Sequence, residues 1–116
     1  MYQVNIKVQK EKSVYLVGAD NPTVVEAAIT DRLAHLLVDE FKLTAMKEAK
    51  FDDIILNDGS NYYHFVIESE GEDRTIKENI LVKDESSDSA WKCVLEAYPH
   101  SEIVKFTKTD ILNILN

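Results

Sequence analysis

The side chains that most often carry chemistry are few in this sequence and lie far apart. The three histidines are His35, His64 and His100, and no two of them have the spacing of a metal site. Cys93 is the single cysteine, so it has no partner for an intrachain disulfide. No nucleophile is accompanied by a recognisable base and orienting residue. We therefore predict structural or surface histidines, no metal, no cofactor and no enzymatic activity.

Acidic side chains form two clusters that could attract a cation. Asp52 and Asp53 are adjacent, and neighbours on a strand face opposite sides, so we interpret them as a bend or bulge. The second cluster is the run ESEGED at residues 68–73, which lacks the spacing of a calcium-binding EF-hand loop. A solvated hairpin tip is the prediction for this run.

The overall charge bounds the kinds of partner. The chain has 21 acidic and 13 basic side chains, a net charge of −8. Binding to DNA or RNA through phosphates requires the opposite sign, so direct nucleic-acid binding is not expected. The charge can serve solubility, or the acidic surface can imitate nucleic acid or meet a basic partner. No apolar run approaches the ~20 residues of a membrane helix, and the N-terminus does not resemble a signal peptide, so we predict a cytoplasmic protein without membrane contact.

Binding is the remaining functional class. The candidate ligand-binding residues are Arg32, Tyr62, His64, Arg74 and Lys77. A guanidinium beside an aromatic ring is a common way to hold a nucleotide, which makes Arg32 and Arg74 candidates if the fold places them near Tyr15, Tyr62 or Trp91. Tyr62 and His64 alternate with Phe65 along a predicted strand and fall on its opposite face, so we expect them to form an exposed contact surface.

The first half of the sequence predicts a hairpin, a helix and two strands. Alternating apolar residues predict a strand at residues 2–9, and the more continuously apolar run at residues 14–17 predicts a second strand after a polar turn at residues 10–13. Thr23 and Glu26 form a predicted capping box for a helix of about five turns. Its apolar stripe is Val25, Ala28, Ile29, Leu33, Leu36 and Leu37. A strand at residues 41–49, with Met46 on the face opposite Leu43, and a short strand at residues 51–56 follow.

The second half predicts the same order of elements. Tyr63, Phe65 and Ile67 alternate along a strand, and a return strand runs to Val82 after the charged tip. A shorter helix follows, with Trp91 on its buried side and Pro99 after its end. Strands at residues 103–106 and 110–115 close the chain.

This recurrence indicates two pseudo-repeat halves, residues 1–58 and 59–116, within a single domain. Val4 and Ile6 align with Phe65 and Ile67, and residues 51–56 align with residues 110–115. Each half is too small to bury its own sheet face well, so we expect one shared core. The predicted fold is α+β, with two ββαβ-like pseudo-repeats and two helices on one side of a mainly antiparallel sheet. The other sheet face would be left for a partner or a second copy of the chain.

The segment TAMKEAKFDDII, its acidic-glycine turn and the pair Tyr62-Tyr63 resemble a family of uncharacterised small domains from Bacteroidota and their phages. The segments Tyr15-Leu16-Val17-Gly18-Ala19 and Ile80-Leu81-Val82 are similar to those before the two helices of that family, whose second helix is usually longer. The resemblance covers most of the chain. It implies an α+β fold and a phage or mobile-element setting. The family has no established activity, so the resemblance assigns no functional residues.

Together these features favour a non-enzymatic accessory protein of a phage or mobile element that binds a host or phage protein in the host cytoplasm. Inhibition of a host-defence protein is one form of this hypothesis. The alternative is a protein that sequesters a nucleotide signal, as a homo-oligomer with pockets between subunits. A small hydrolase is the weakest alternative.

Overall fold

The computed structural model describes residues 1–36, 38 and 40–115 of the chain. Within these residues the chain forms eight strands and two helices. In chain order they are β1 (Tyr2–Val8), β2 (Glu11–Val17), α1 (Pro22–His35), β3 (Lys42–Glu48), β4 (Asp53–Leu56), β5 (Asn61–Glu70), β6 (Thr75–Asp84), α2 (Ser87–Ala97), β7 (Glu102–Lys108) and β8 (Ile111–Leu115). The α+β class expected from the sequence is confirmed.

The strands form two four-stranded sheets, so the prediction of a single sheet is wrong. The first sheet has the order β3-β1-β2-β8, and the second has the order β4-β6-β5-β7. The chain divides into two compact units, Met1–Ala49 with Asp110–Asn116, and Lys50–Thr109. This division crosses the predicted halves, because β4 pairs in the second sheet and β8 pairs in the first. Both sheets are mainly antiparallel, and β2–β8 and β4–β6 are their parallel pairs.

The two sheets share details of register. The pairing of β1 with β3 shifts between Asn5 and Ile6, and the pairing of β5 with β7 shifts between Val66 and Ile67. Asp53 in β4 and Asn113 in β8 each accept a hydrogen bond from the amide of the next residue, at 2.9 Å in both cases. The strand registers place these two residues at matching positions, one residue away from the alignment that the sequence suggested. The internal repeat itself stays a prediction.

The core of the first unit lies between α1 and one face of its sheet. The inward residues alternate along β1, as the apolar pattern predicts, and they alternate along β2 as well, while α1 contributes one residue per turn. This core consists of Val4, Ile6, Tyr15, Val17, Val25, Ile29 and Leu33. The turn of the β1–β2 hairpin lies at Gln9 and Lys10, where Gln9 has a φ of 55°. The turn therefore begins before the predicted polar run.

Helix α1 differs from its prediction at both ends. Asn21 is the N-cap and accepts a hydrogen bond from the amide of Val24 at 3.1 Å, with Pro22 as the first helical residue. The capping box predicted at Thr23 is therefore wrong, because Pro22 already has the fixed φ and missing amide that suit the first position. The helix has 14 residues and ends before Leu36, which is exposed. The predicted stripe residue Leu37 lies outside the described residues.

Strand β3 contains a bulge that changes which side chains point inward. Leu43 and Met46 both pack against the first core, although strict alternation would place them on opposite faces. The register shift adds one residue between them, and Thr44 at that point donates a hydrogen bond from its hydroxyl to the Asn5 carbonyl at 3.1 Å. The predicted outward position of Met46 is therefore wrong.

The second unit repeats this arrangement with α2 over β5 and β6. Its core comprises Tyr63, Phe65, Ile67, Ile80, Val82, Ala90 and Val94. Ser86 is the N-cap of α2, and its hydroxyl accepts from the amide of Ser89 at 3.2 Å. The helix ends at Ala97, just before Pro99, as predicted. These contacts fix the side of α2 that faces solvent.

Candidate binding surface

The four predicted ligand-binding residues of the second unit do not come together in one site. Arg32 lies on α1 of the first unit, and the other four lie in the second unit. Within the β5–β6 hairpin, Tyr62 is paired with Lys83 at one end and Lys77 is paired with Glu68 near the other. Tyr62 and Glu68 are six positions apart on the strand, so at about 3.4 Å per residue they lie roughly 20 Å from each other. Arg74 lies at the exposed tip beyond Lys77.

The predicted exposure of Tyr62 is wrong. Tyr62 is only 3% exposed, and Leu81, the neighbour of His64 in β6, is fully buried on the same face. That face of the hairpin is therefore not an open contact surface, because it buries large side chains as the helix-facing side does. The carbonyl of Tyr62 also accepts hydrogen bonds from the amide and the hydroxyl of Thr109, at 2.9 and 2.7 Å.

His64 is held by its neighbours. Its Nε2 lies 2.9 Å from the Asn79 side-chain oxygen, and its ring meets the Phe51 ring edge-on at 5.5 Å. The side chain is half-buried. These contacts favour the structural role over a free contact residue.

Arg32 is half-buried beside a cavity of about 360 Å³ that His35 and Asn113 also line. Its Nε is buried and has no hydrogen-bond partner among the residues that the structure describes. His35 Nδ1 lies 2.9 Å from the Asp31 carbonyl oxygen, one turn earlier on α1. Arg32 thus remains a polar candidate of the first unit.

The structure adds a buried carboxylate that sequence reasoning missed. Asp84 is 3% exposed and accepts hydrogen bonds from the Glu85 amide at 2.8 Å and from the Asn57 side-chain nitrogen at 3.2 Å. Burial acts to raise the pKa of Asp84, but the hydrogen bonds from Glu85, Ser89 and Asn57 outweigh it and lower the pKa below 3.8. Asp84 is therefore a carboxylate that joins the end of β6 to the loop after β4.

A cavity of about 470 Å³ opens beside Asp84, and Lys92 and Cys93 line it. The Sγ atom of Cys93 lies 3.4 Å from the Asn57 side-chain nitrogen. The group of Asp84, Asn57 and Cys93 therefore serves to hold the loop.

The acidic pair before β4 is also used for structure. Asp52 lies at a bend, as predicted, and its carboxylate accepts from the Asn79 amide at 2.6 Å. The hydroxyl of Tyr98, which follows α2, donates to the Asp53 carboxylate. Burial, followed by this hydrogen bond and the nearby carboxylates, raises the pKa of Tyr98 to about 12. The two acidic residues thus anchor β4 on both sides. Among the described residues, no group of three His, Cys, Asp or Glu side chains is placed to hold a metal ion.

The exposed side of α2 carries two large apolar side chains. Trp91 is 40% exposed and Leu95 is 48% exposed, and residues four apart on a helix lie on the same side. The Trp91 ring meets the Phe65 and Phe106 rings edge-on at 5.8 and 5.7 Å. The prediction that Trp91 is a core residue is therefore only half correct, because one part of the ring packs inward and the rest faces solvent. We call Trp91 and Leu95 the α2 surface.

Comparison with known proteins identifies the family. A family model described as a domain of unknown function, DUF4494, matches residues 2–116. The chain belongs to this family. This match confirms the sequence-based expectation that the chain belongs to an uncharacterised domain family. The expected origin in Bacteroidota and their phages stays a prediction. No curated protein and no solved structure matches it. No helix in the described ranges of this DUF4494 member is long and apolar enough to cross a membrane.

Different signals would have found the residues that sequence reasoning missed in this DUF4494 domain. Asp84 follows the buried run Ile80-Leu81-Val82 and precedes a helix, a position where a carboxylate often accepts backbone hydrogen bonds. Leu95 lies one turn beyond Trp91, outside the stripe of Ala90 and Val94, and this displacement is visible in the sequence. The exposure of Trp91 itself depends on contacts with β7, which the sequence does not specify.

Proposed function

We propose that this DUF4494 protein is a non-enzymatic binding protein that recognises a partner protein through the α2 surface. The observation that carries the proposal is Trp91, a large aromatic side chain that is 40% exposed on a well-packed helix. Tryptophan is among the residues that contribute most to protein interfaces. The partner would present an apolar pocket for this ring.

The packing of Trp91 lowers the cost of using it in an interface. Its contacts with Phe65 and Phe106 hold the ring in one orientation before any partner arrives. A side chain that is already ordered loses less conformational entropy on binding than a mobile one. Leu95 extends the same surface by one turn of α2, so two apolar side chains are presented together.

The charge of the chain favours a basic partner. The net charge is −8, and Asp88, one turn before Trp91, is exposed. Acidic groups around an apolar centre speed the approach of a basic protein and repel acidic ones. We therefore propose a partner whose binding site combines an apolar pocket with a basic rim.

Exposed strands were another sequence-based reason to expect a binding protein. They support the proposal less well than the α2 surface does. Each sheet has one longer edge strand, β3 or β7, besides the short edge strand β8 or β4; β3 and β7 carry exposed lysines, including Lys42, Lys47, Lys105 and Lys108, and each has a bulge. Lysines and bulges are the features by which proteins prevent a further strand from pairing with an edge. The helix surface is for this reason the better candidate.

The setting that we propose is the cytoplasm of a host cell, with the gene on a phage or mobile element and a host-defence protein as the partner. The support for this setting is the resemblance of the sequence to domains of that kind. Genomic neighbourhood is its test: neighbouring defence-related genes would favour it, and a conserved metabolic operon would oppose it. Nucleotide sequestration at Arg74 and Tyr62 has less support, because those residues lie at opposite ends of a hairpin.

We also propose that the two units derive from one duplicated ββαβ-like unit with a further short strand at its end, and that these short strands, β4 and β8, were exchanged. The matching strand order, bulges and side-chain caps of β4 and β8 support this origin.

Affinity capture tests the partner proposal. The immobilised full chain is exposed to host lysate, and the bound proteins are identified by mass spectrometry for the wild type, Leu95→Arg and Leu56→Arg. Leu56 is a matched control, because it is an apolar residue 63% exposed on β4. The proposal predicts a partner that Leu95→Arg loses and Leu56→Arg retains. A partner that both variants retain would contradict it, and so would a failure of the wild type to capture any protein. Light scattering on the same variants shows whether the partner is a second copy of the chain.

A further inference from the structure

Two lysines face each other across the β1–β2 hairpin. Lys7 is the register partner of Lys12. The adjacent Ile6 belongs to the core under α1, and successive side chains point to opposite faces, so the lysines lie on the face turned away from α1. Like charges directly opposite one another destabilise a sheet. In the part of the chain that the structure describes, neither lysine forms an ion pair with a carboxylate.

The second hairpin has an opposite-charge pair at the matching position. Lys7 lies three residues after the buried Val4, and Glu68 lies three residues after the buried Phe65. The register partner of Glu68 is Lys77. The same place in the same kind of hairpin therefore holds a favourable pair in the second sheet and an unfavourable pair in the first. Fold requirements alone do not account for Lys7, which stands where the second hairpin has Glu68.

A cavity of about 610 Å³ opens at the lysine pair. This volume lies within the range of roughly 300–1,000 Å³ that is usual for sites of small ligands. Lys7, Lys12, Asn5, Ser13 and Asp110 contribute to its lining, and all of them belong to the first unit. The lining thus combines two positive charges, one negative charge and neutral groups that can form hydrogen bonds.

The side chains of the lining are available to a ligand. The side chains of Lys7, Lys12, Asn5 and Ser13 make no hydrogen bond with the residues that the structure describes. Lys7 is half-buried and Lys12 is exposed, and both line the cavity. An anion between two ammonium groups would remove their mutual repulsion, because each would then face an opposite charge.

We propose that this cavity binds a phosphorylated small molecule that also carries hydroxyl groups, such as a sugar phosphate or a nucleotide. Lysine is a common ligand of phosphate, and Lys7 and Lys12 would both contact it. Asp110 cannot bind the phosphate, but its carboxylate can accept hydrogen bonds from hydroxyl groups. The chain as a whole is strongly acidic, so a local excess of positive charge at a cavity is a specific feature.

This site differs from the nucleotide site that the sequence suggested, which relied on Arg74 and Tyr62. It also uses no residue of the α2 surface, which belongs to the second unit. Failure of one proposal therefore leaves the other standing, and different variants test them.

Isothermal titration calorimetry on the full chain at low salt tests the inference. The probes are inorganic phosphate, ribose 5-phosphate, AMP and unphosphorylated adenosine. We expect both phosphate esters to bind more tightly than inorganic phosphate, and adenosine not to bind. Lys7→Gln and Lys12→Gln should each weaken ester binding by at least about tenfold, which is the loss expected for one charge-assisted hydrogen bond. The matched control Lys77→Gln should bind as the wild type does. The tighter of the two esters shows whether a base is part of the ligand.

A second variant separates binding from folding. Lys12→Glu gives the first hairpin an opposite-charge pair, as in the second hairpin but with the acidic residue on the other strand, so it should raise the midpoint of thermal unfolding while it abolishes ester binding. Absence of binding by every phosphate probe at millimolar concentration would overturn the inference. Binding that Lys7→Gln and Lys12→Gln leave intact would also overturn it, as would tight binding of adenosine. Equal affinity for inorganic phosphate and the esters would overturn the role of Asp110.

Discussion

Replacement of Asp84 by asparagine tests the physical account of the second unit. The Asp84 carboxylate is 3% exposed and accepts from the Glu85 amide, the Asn57 side chain and Ser89. Asp84→Asn keeps the shape of the side chain but replaces one carboxylate oxygen, which accepts a hydrogen bond, with an amide nitrogen, which donates. This nitrogen would face another donor, the Glu85 amide or the Asn57 side-chain nitrogen. A hydrogen bond to a charged group contributes about 1.5–3 kcal/mol, and a buried donor left without an acceptor costs about 1–3 kcal/mol. We therefore expect Asp84→Asn to lower the free energy of unfolding by about 2–4 kcal/mol at pH 7.

The pH dependence of this loss has a definite sign. The pKa of Asp84 is lowered in the folded state from 3.8, so its ionised form stabilises the fold above pH 3.8. That contribution disappears as the pH falls through the lowered pKa, because the folded state must then bind the proton that the unfolded state already carries. The difference between the wild type and Asp84→Asn should therefore shrink below pH 3.8.

Urea unfolding followed by Trp91 fluorescence measures both effects. Asp88→Asn is the control, because it makes the same change at an exposed position in the first turn of α2. It should cost no more than about 1 kcal/mol, the usual size of a carboxylate interaction with a helix N-terminus. A loss below about 1 kcal/mol for Asp84→Asn at pH 7 would refute the reasoning, given the usual cost of a buried unpaired donor. A loss that stays constant down to acidic pH would refute it as well.

Three further substitutions have defined outcomes, each measurable by urea unfolding or by titration. Gly59→Ala should lower the free energy of unfolding by more than about 3 kcal/mol, because Gly59 has a φ of +133° and an added Cβ would lie 2.3 Å from the Asp84–Glu85 peptide. In the control Gly71→Ala the added Cβ would lie 2.8 Å from a carbonyl oxygen, so the loss should be clearly smaller. Equal losses for the two variants would contradict this prediction. Tyr98→Phe should remove the component of the tyrosine absorbance titration near pH 12, and an unchanged titration would contradict this. Because the pKa of Tyr98 is raised in the folded state, the stability due to its hydroxyl is present below pH 10 and is lost as the pH rises through about 12. Asn21→Ala should cost about 1 kcal/mol through loss of the α1 cap, whereas a neutral result would contradict the assignment of the cap.

Local patterns in the sequence predicted the elements well. Alternation at Val4, Ile6, Phe65 and Ile67 identified β1 and β5 and their buried faces. The helices were found because their apolar residues recur at helical spacing, and Pro99 correctly marked the end of α2. These features depend on neighbours within a few residues, so a single sequence contains them.

The errors concern features that depend on distant residues. The pairing of β2 with β8 joins segments about a hundred residues apart, and no local pattern identifies the partner. Met46 points inward because the bulge in β3 is set by pairing with β1. Tyr62 was expected to be exposed because alternation indicates opposite faces, but it does not tell whether the second face is buried.

The candidate sites were the least predictable part. Lys7 and Lys12 were visible in the sequence, but their significance depends on register and on the contrast with Glu68 and Lys77. Trp91 was noticed as a helix residue, whereas its partial exposure follows from the position of Phe106 on β7. Identification of the two candidate sites therefore required the strand pairing, which only the structure supplies.

The affinity of the captured partner for variants of the α2 surface tests the proposed function most directly. Surface plasmon resonance with the purified partner compares the wild type, Leu95→Arg and the exposed control Leu56→Arg. We expect Leu95→Arg to weaken binding by at least about tenfold, as substitutions near the centre of an interface do, while Leu56→Arg stays within about twofold. Equal affinity of all three proteins for the partner would contradict the assignment of the α2 surface as the binding site.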